Sequence, residues 1–421
     1  MKLFFRFCIF ILCLLVIYTF YKSEIYWKGE NRNVYLIYFA VFTALIIFLS
    51  ITLKLNRNIQ QYVIIFIVSI TFGFYFLEGF LQFKIKHQQK EIKNFFFDKR
   101  TKYEVYNDFR KLNQEVSISI PPKVNLQKNT IHLGGISRSK TIYCNENGYY
   151  SIYQSDRYGF NNPDEEWDSN NIEYLLVGDS FTHGACVNRP DDIASVLRNV
   201  SKKNVLNLGN DGNGPLLEYA TLREYLSPGV KKILWLYYEN DIYNMLLERE
   251  SKILNRYLDD LSFSQNLKLR QYYINDLLVE LTNEGLNKKN KNVTYNRIIE
   301  IIKLSHLRGL VMPKINIFDD IRFLEFRNIL QLANDLSIKN NSTLYFVYLP
   351  GYKDLADGKE NYAKSQLVKI TSELNIPFID IENDVFKKEA NPLKLFPFER
   401  YGHYTVEGYK KTALKIYEKT K

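Results

Sequence analysis

Hydrophobic positions along this chain fall into two regimes. In the first, Phe7–Tyr21, Val34–Leu53 and Tyr62–Phe83 are long apolar runs close to the amino terminus. The second run carries no charge and, as a helix, is long enough to cross ~30 Å of hydrocarbon. The first is short, but Leu3–Phe5 extend it if Arg6 snorkels to the interface. The third has Glu78 near its end. A cleaved leader is the rival reading of the first run, but no small-x-small cleavage site follows it. The pattern predicts three membrane helices, at about residues 3–21, 34–53 and 62–83, in a transmembrane region covering 1–83.

In the second regime the apolar runs shorten to strand length. Glu173–Val177, Asn204–Leu208, Lys232–Tyr238, Thr343–Leu349 and Pro377–Ile381 are separated by helical stretches, which predicts an α/β fold with a doubly wound parallel sheet covered on both faces. This domain is expected over 171–421. Between its third and fourth strands, about 242–342, lies an insertion far beyond ordinary loop length. Leu247–Leu261, Gln265–Glu284, Asn296–Leu307 and Ile317–Leu336 have helical spacing there. Two readings stand: a helical cap over the active-site edge, or a structural add-on or interaction surface. Residues 84–170 are expected as a juxtamembrane linker and a small β-rich segment. A basic, helix-prone stretch to about Glu115 is stopped by Pro121-Pro122, and β-branched and Tyr residues broken by Gly134-Gly135, Asn145 and Gly148 follow.

Charge changes the picture at the membrane. The net +10 comes largely from a basic cluster after the third run and from later helical stretches, and reads as a solvated face against anionic headgroups. No aromatic–basic nucleic-acid motif accompanies it. With a cytoplasmic amino terminus, the inner flanks hold Lys2, Arg6, Lys54 and Arg57. The outer flanks hold Lys22, Lys28, Arg32, Lys84, Lys86, Lys90, Lys93, Lys99, Arg100 and Lys102. Four against ten argues for a cytoplasmic catalytic domain, although large domains translocate largely regardless of charge. Of four cysteines, Cys8 and Cys13 lie in the first membrane run. Cys144 and Cys186 could pair in an oxidising compartment or stay as two free thiols; the spacing suits neither a metal site nor a disulfide framework.

The candidate chemistry starts at Tyr174-Leu-Leu-Val-Gly-Asp-Ser-Phe-Thr-His-Gly184, an apolar strand running into Gly178-Asp179-Ser180 where a helix should begin. A serine there sits at the carboxyl edge of the sheet, where open α/β folds place ligands, with its own N–H available to an oxyanion. It needs a base, and the chain has five histidines: His87, His132, His183, His306 and His403. His87 and His132 read as surface residues, and His306 as a packed or surface one. His183, three residues after Ser180, reads as shaping the pocket.

GDS-x-T-x-G resembles the first block of the SGNH (GDSL-type) esterases and acyltransferases, and further blocks follow in that family's order. Phe396-Pro-Phe-Glu-Arg-Tyr-Gly-His-Tyr-Thr-Val-Glu-Gly-Tyr409 resembles the fifth block, which implies His403 as the base. The family's Asp just before that His is absent, with Arg400 and Tyr401 in its place, so Glu399, Asp380 or a carbonyl would have to orient the ring, or a Ser–His dyad would suffice. Val205-Leu-Asn-Leu-Gly-Asn-Asp-Gly-Asn-Gly-Pro215 resembles the second block and implies the Gly212 N–H as an oxyanion donor. Tyr237-Tyr-Glu-Asn-Asp241 resembles the third and implies the Asn240 amide as another, although Asn240 could equally cap the next helix. Ser155-Asp-Arg-Tyr-Gly-Phe-Asn-Asn-Pro163 resembles an element of membrane-attached bacterial members and reads as a clasp at the sheet edge.

The resemblance, over roughly Ser155–Tyr409, implies a three-layer α/β/α SGNH (flavodoxin-like) domain. It implies a membrane-anchored Ser–His esterase or O-acyltransferase acting on acyl groups of cell-envelope glycans, with no metal or organic cofactor. The expected partners are the lipid bilayer and an ester or polysaccharide substrate. That substrate places the catalytic domain on the periplasmic side of an inner membrane, against the charge count. Two alternatives remain: a non-catalytic glycan- or protein-binding domain, and a lipase-like hydrolase of membrane lipids.

Overall fold

The computed structural model describes residues 1–29, 31–92, 97–311, 320–358 and 362–421, of which 85–92, 287–297 and 311 are described in backbone only. The expected helix start at Ile317, and Lys93 of the basic cluster, lie outside these. The chain forms two compact units, Met1–Asn94 with Lys289–Asn316, and Phe95–Lys288 with Ile317–Lys421.

Three helices of the first unit, Lys2–Tyr26, Arg32–Thr52 and Arg57–Lys84, are long and apolar enough to cross a membrane. Their apolar side chains, Phe7, Phe10, Ile47, Phe66 and Phe72 among them, point outward and uncovered. An apolar exterior of this kind suits hydrocarbon as solvent, since the N–H and C=O groups of a helix interior are satisfied within the helix itself. The Gln60 amide nitrogen, Nε2, donates to the Thr52, Leu53 and Leu55 carbonyls at the end of the second helix.

The second unit opens with a small sheet of β1 (Ser117–Ile118), β2 (Lys140–Ile142) and β3 (Ile152–Gln154). The main sheet follows: β4 (Ile172–Gly178), β5 (Asn204–Asn207), β6 (Val230–Tyr237), β7 (Thr343–Tyr348) and β8 (Phe378–Asp380), all parallel, in the order β5-β4-β6-β7-β8. All five strands lie within two residues of the runs read from the sequence. Side chains alternate between the two faces. Tyr174 and Leu176 of β4 join Ile193, Leu197, Tyr409 and Ile416 from helices Ile193–Ser201 and Val406–Thr420. Leu175 and Val177 join Leu217, Phe326, Leu330 and Leu367 from helices Pro215–Tyr225, Asp320–Lys339 and Tyr362–Glu373. This is the three-layer α/β/α arrangement that the SGNH resemblance implies.

Two boundaries differ from expectation. Residues 97–170, with the small sheet β1–β3 in the expected β-rich segment, belong to the same unit as the main sheet rather than lying outside the domain. Asp156 knits this segment by accepting from the Tyr158 and Phe160 N–H groups, Asn162 Nδ2 and Trp167 Nε1, and Asn162 in turn pairs with both backbone groups of Asn207 on edge strand β5. Nor do the described parts of the insertion form a cap. Leu254, Tyr257, Leu267, Ile274, Phe323 and Phe326 are buried on one face of the sheet, and 289–316 group with the membrane helices. The break expected between Glu284 and Asn296 is absent, since one helix runs from Gln271 to Ile302.

Candidate active site

The chain leaves β4 first towards β5 on one side, then returns to β6 on the other, so the topological switch point lies at the paired carboxyl ends of β4 and β6. Ser180 stands there, two residues past β4, at the start of the short helix Ser180–His183. The turn needs Gly178: its φ is +156°, and a Cβ would collide with the Thr182 hydroxyl. Asp179 caps the helix by accepting the Phe181 N–H at 2.8 Å. Its second oxygen accepts weakly from Ser180 Oγ at 3.4 Å. Burial pushes the Asp179 carboxyl up, partly offset by the Phe181 N–H and by the charge of His403.

His403 comes to Ser180 from 223 residues away, with Nε2 2.8 Å from Oγ. Its loop precedes helix Val406–Thr420, capped by Thr405 and pinned where Thr405 N–H meets the Leu395 carbonyl. The ring lies against Phe181, 4.6 Å between centroids. Its other nitrogen, Nδ1, donates to Glu146 Oε2 at 3.0 Å, and the same oxygen accepts the His403 backbone N–H at 2.6 Å. A carboxylate can only accept, so the proton sits on Nδ1 and leaves Nε2 free to take one from Ser180. Burial alone would lower the imidazole's pKa; the hydrogen bond and charge of Glu146, with Asp179 and Asp211 behind, outweigh it and hold His403 above its ordinary value. On the Glu146 side burial raises the carboxyl, but the bond to His403 prevails and keeps it below the usual range.

The carboxylate on the His403 ring is Glu146, not the expected Glu399 or Asp380. Glu399 accepts from Asn391 Nδ2, while Asp380 caps Asn383 and pairs with Lys364. Both are engaged by other neighbours than His403. Glu146 arrives from the hairpin joining β2 to β3, two residues after Cys144, and Cys144 forms a disulfide with Cys186 in the loop after the nucleophile. Pairing those two cysteines in the sequence was the signal that could have brought Glu146 to this edge. Oxygen, sulfur and nitrogen donors of Glu146, Cys186 and His403 lie within 4.8 Å of one another, but the Cys186 sulfur is committed to Cys144.

His183 is also buried, between the rings of Tyr143 and Tyr153 at 4.4 and 4.7 Å, with Nδ1 3.3 Å from the Gly209 carbonyl. Burial drives its pKa down to about 3, so it is neutral and packs the floor of the turn.

Gly212 has φ +69°, and the Lys123 side chain lies across it, so that a Cβ would meet Nζ at 2.7 Å. Its loop is braced by Glu248, which accepts the Gly214, Leu216 and Leu217 N–H groups and is pushed up to about 8 by burial. Asn240 occupies the cap position of helix Asp241–Glu248 without capping it by its side chain. Asp241 meets the Tyr238 N–H instead, and the Asn240 amide lies against Asp179, beside the nucleophile.

No protein-family model and no curated protein matches this chain. Solved structures similar to it include a lipolytic protein of the G-D-S-L family from Desulfitobacterium hafniense (14% identity, 59% of this chain and 99% of that one, TM-score 0.35). A second, from Veillonella parvula, is a member of the same lipolytic family (15%, 59% and 97%, 0.35). The acetyl xylan esterase AlAXEase is another (12%, 59% and 99%, 0.36).

Proposed function

We propose that this chain is a membrane-tethered SGNH-type serine esterase or O-acyltransferase acting on O-acyl groups of cell-envelope glycans. One observation carries the reading: Ser180 Oγ, His403 and Glu146 form a continuous hydrogen-bonded relay at the sheet's switch point. Ser180 attacks the ester carbonyl as His403 Nε2 takes its proton, and Glu146 stabilises the imidazolium. The Ser180 and Gly212 N–H groups and the Asn240 amide receive the oxyanion, with the Lys123 ammonium adding positive potential beside Gly212. His403 then protonates the departing alkoxide, leaving an acyl-serine. Water as second acceptor regenerates the serine and releases acid; a sugar hydroxyl takes the acyl group instead.

Glu146 fills the place of the family's missing Asp, which supports catalysis over a non-catalytic domain. Tyr401, exposed and near enough for Glu146 and Asp179 to act on it, offers an aromatic face of the kind that suits a sugar ring. The Cys144–Cys186 disulfide supports a periplasmic catalytic domain, because such bonds persist in oxidising compartments, and it weighs against the four-to-ten charge count. The test is covalent labelling by a fluorophosphonate probe with release of acetate from an acetylated glycan. Labelling lost in Ser180→Ala is the expected result. A wild-type chain that neither labels nor releases acyl groups would return the non-catalytic reading.

A further inference from the structure

The insertion carries residues the proposed catalysis does not use. Its tip, 289–316, belongs to the unit of the three membrane helices. There helix Gln271–Ile302 ends, the chain turns through Lys303 and Leu304, and a short helix, Ser305–Val311, packs against the third span. The break frees backbone donors, and one side chain collects them. Glu78, fully buried on the third span, accepts the N–H groups of His306 (3.2 Å) and Leu307 (2.9 Å) and the His306 ring at Nδ1 (2.8 Å). One turn earlier, the Tyr75 hydroxyl donates to the Ile302 carbonyl at 3.3 Å. An ionisable residue within a membrane span is costly unless it is partnered. Glu78 is partnered by the tip.

These contacts fix the height of the tip along the span. Counted from Arg57 at ~1.5 Å per residue, ~30 Å of hydrocarbon ends about twenty residues on, near Leu77 and Glu78. The tip therefore stands at the interface, at the carboxyl end of the third span. Its chemistry matches that depth. Ile298, Ile301, Ile302 (61% exposed) and Leu310 (72%) are uncovered apolar side chains, and Lys303 and Arg308 are exposed cations beside them. Apolar residues with adjacent cations are what a segment lying in the headgroup–acyl boundary requires.

We infer that residues 298–310 are a membrane-surface foot, with the isoleucines and Leu310 in the acyl-chain boundary, Lys303 and Arg308 at headgroup phosphates, and Glu78 as the clasp that holds the foot to the third span. The inference rests on the three apolar helices crossing a bilayer, and is independent of the esterase chemistry. Continuity with the lipid-facing surface of the spans selects lipid as the occupant of this face.

The test uses the full-length chain with Cys8 and Cys13 replaced by Ala, reconstituted in vesicles of phosphatidylcholine with phosphatidylglycerol. Nitroxide labels are placed singly at Ile302→Cys, Leu310→Cys, Phe66→Cys (a lipid-facing span position) and Tyr272→Cys (an exposed position of the second unit). Collision with oxygen and with a water-soluble nickel complex is then measured. Expected is oxygen-dominated collision at Ile302 and Leu310, with nickel access far below that at Tyr272. Water-like nickel access at both would mean nothing covers the face, and shielding from both reagents would mean a protein does; either overturns the lipid assignment. Glu78→Leu should raise nickel access at Ile302 and Leu310 while Phe66 stays protected. Unchanged protection of the tip in that variant would overturn the clasp, and loss of protection at Phe66 in the parent chain would overturn the membrane spans themselves.

Discussion

His183 is buried and His403 half-buried, and both adjoin the turn at Ser180, yet only one has a base's partners. His183 sits between two tyrosine rings with a carbonyl on one nitrogen and, among the described residues, no partner on Nε2. Desolvation prevails and the ring stays neutral. His403 meets the same desolvation, but a carboxylate on Nδ1 and Ser180 on Nε2 reverse the sign of the shift. Proximity to a serine does not make a base; a partner that stabilises the cation does.

The largest effects should come from breaking the His403 side. Ser180→Ala and His403→Ala should each lower turnover of a short-chain aryl ester by at least ~10³-fold, and the double variant should fall little further, because the pair acts as a unit. Unchanged turnover in Ser180→Ala would remove the serine mechanism. If His183→Ala were dead and His403→Ala active, the comparison would invert.

Glu146→Gln should cost on the order of 10²- to 10³-fold in kcat, since an amide can hold the ring in the wrong tautomer. Glu399→Gln and Asp380→Asn should leave kcat near the parent value. The pH profile sharpens the point. Glu146 raises the His403 pKa by stabilising its protonated form. The acidic limb of kcat/KM, where the base deprotonates, should therefore move to lower pH in Glu146→Gln even as its plateau drops. A limb that stays in place would mean Glu146 does not act through His403.

Asn240→Ala should reduce kcat by about 10²-fold with little change in KM, the signature of a donor used only in the transition state. A lower melting temperature with full activity per molecule would return Asn240 to a capping role. The smallest effect on chemistry belongs to His183→Ala. It should lose roughly 3 kcal/mol of stability by emptying a site between two rings, yet keep substantial activity when folded. Thermal denaturation and titration of active sites separate the two quantities.

Much of this arrangement is legible along the chain because its signals are local. Hydrophobic run length separates membrane helices from strands, and each strand's apolar pattern is imposed by two covered faces. Ser180 and His403 are marked by the glycines and caps around them, Gly178 because only a residue without Cβ clears Thr182. The long helix Gln271–Ile302 was less legible, since Asn287–Asn292 is polar enough to look like a break.

Tertiary structure decided which carboxylate meets His403, with the cysteine pair as the one hint in the sequence. Glu146 lies in a polar turn, Cys144-Asn-Glu-Asn-Gly148, with no periodicity to mark it, 257 residues from the histidine it serves. A carboxylate in such a turn looks the same whether solvated or functional. What distinguishes it is the approach of the β2–β3 hairpin to the nucleophile's loop, through contacts between segments far apart in the chain. Glu78 is the same case in the other unit. The sequence shows a charge near the end of a membrane run, but its partners lie 228 and 229 residues away, and only folding brings them together.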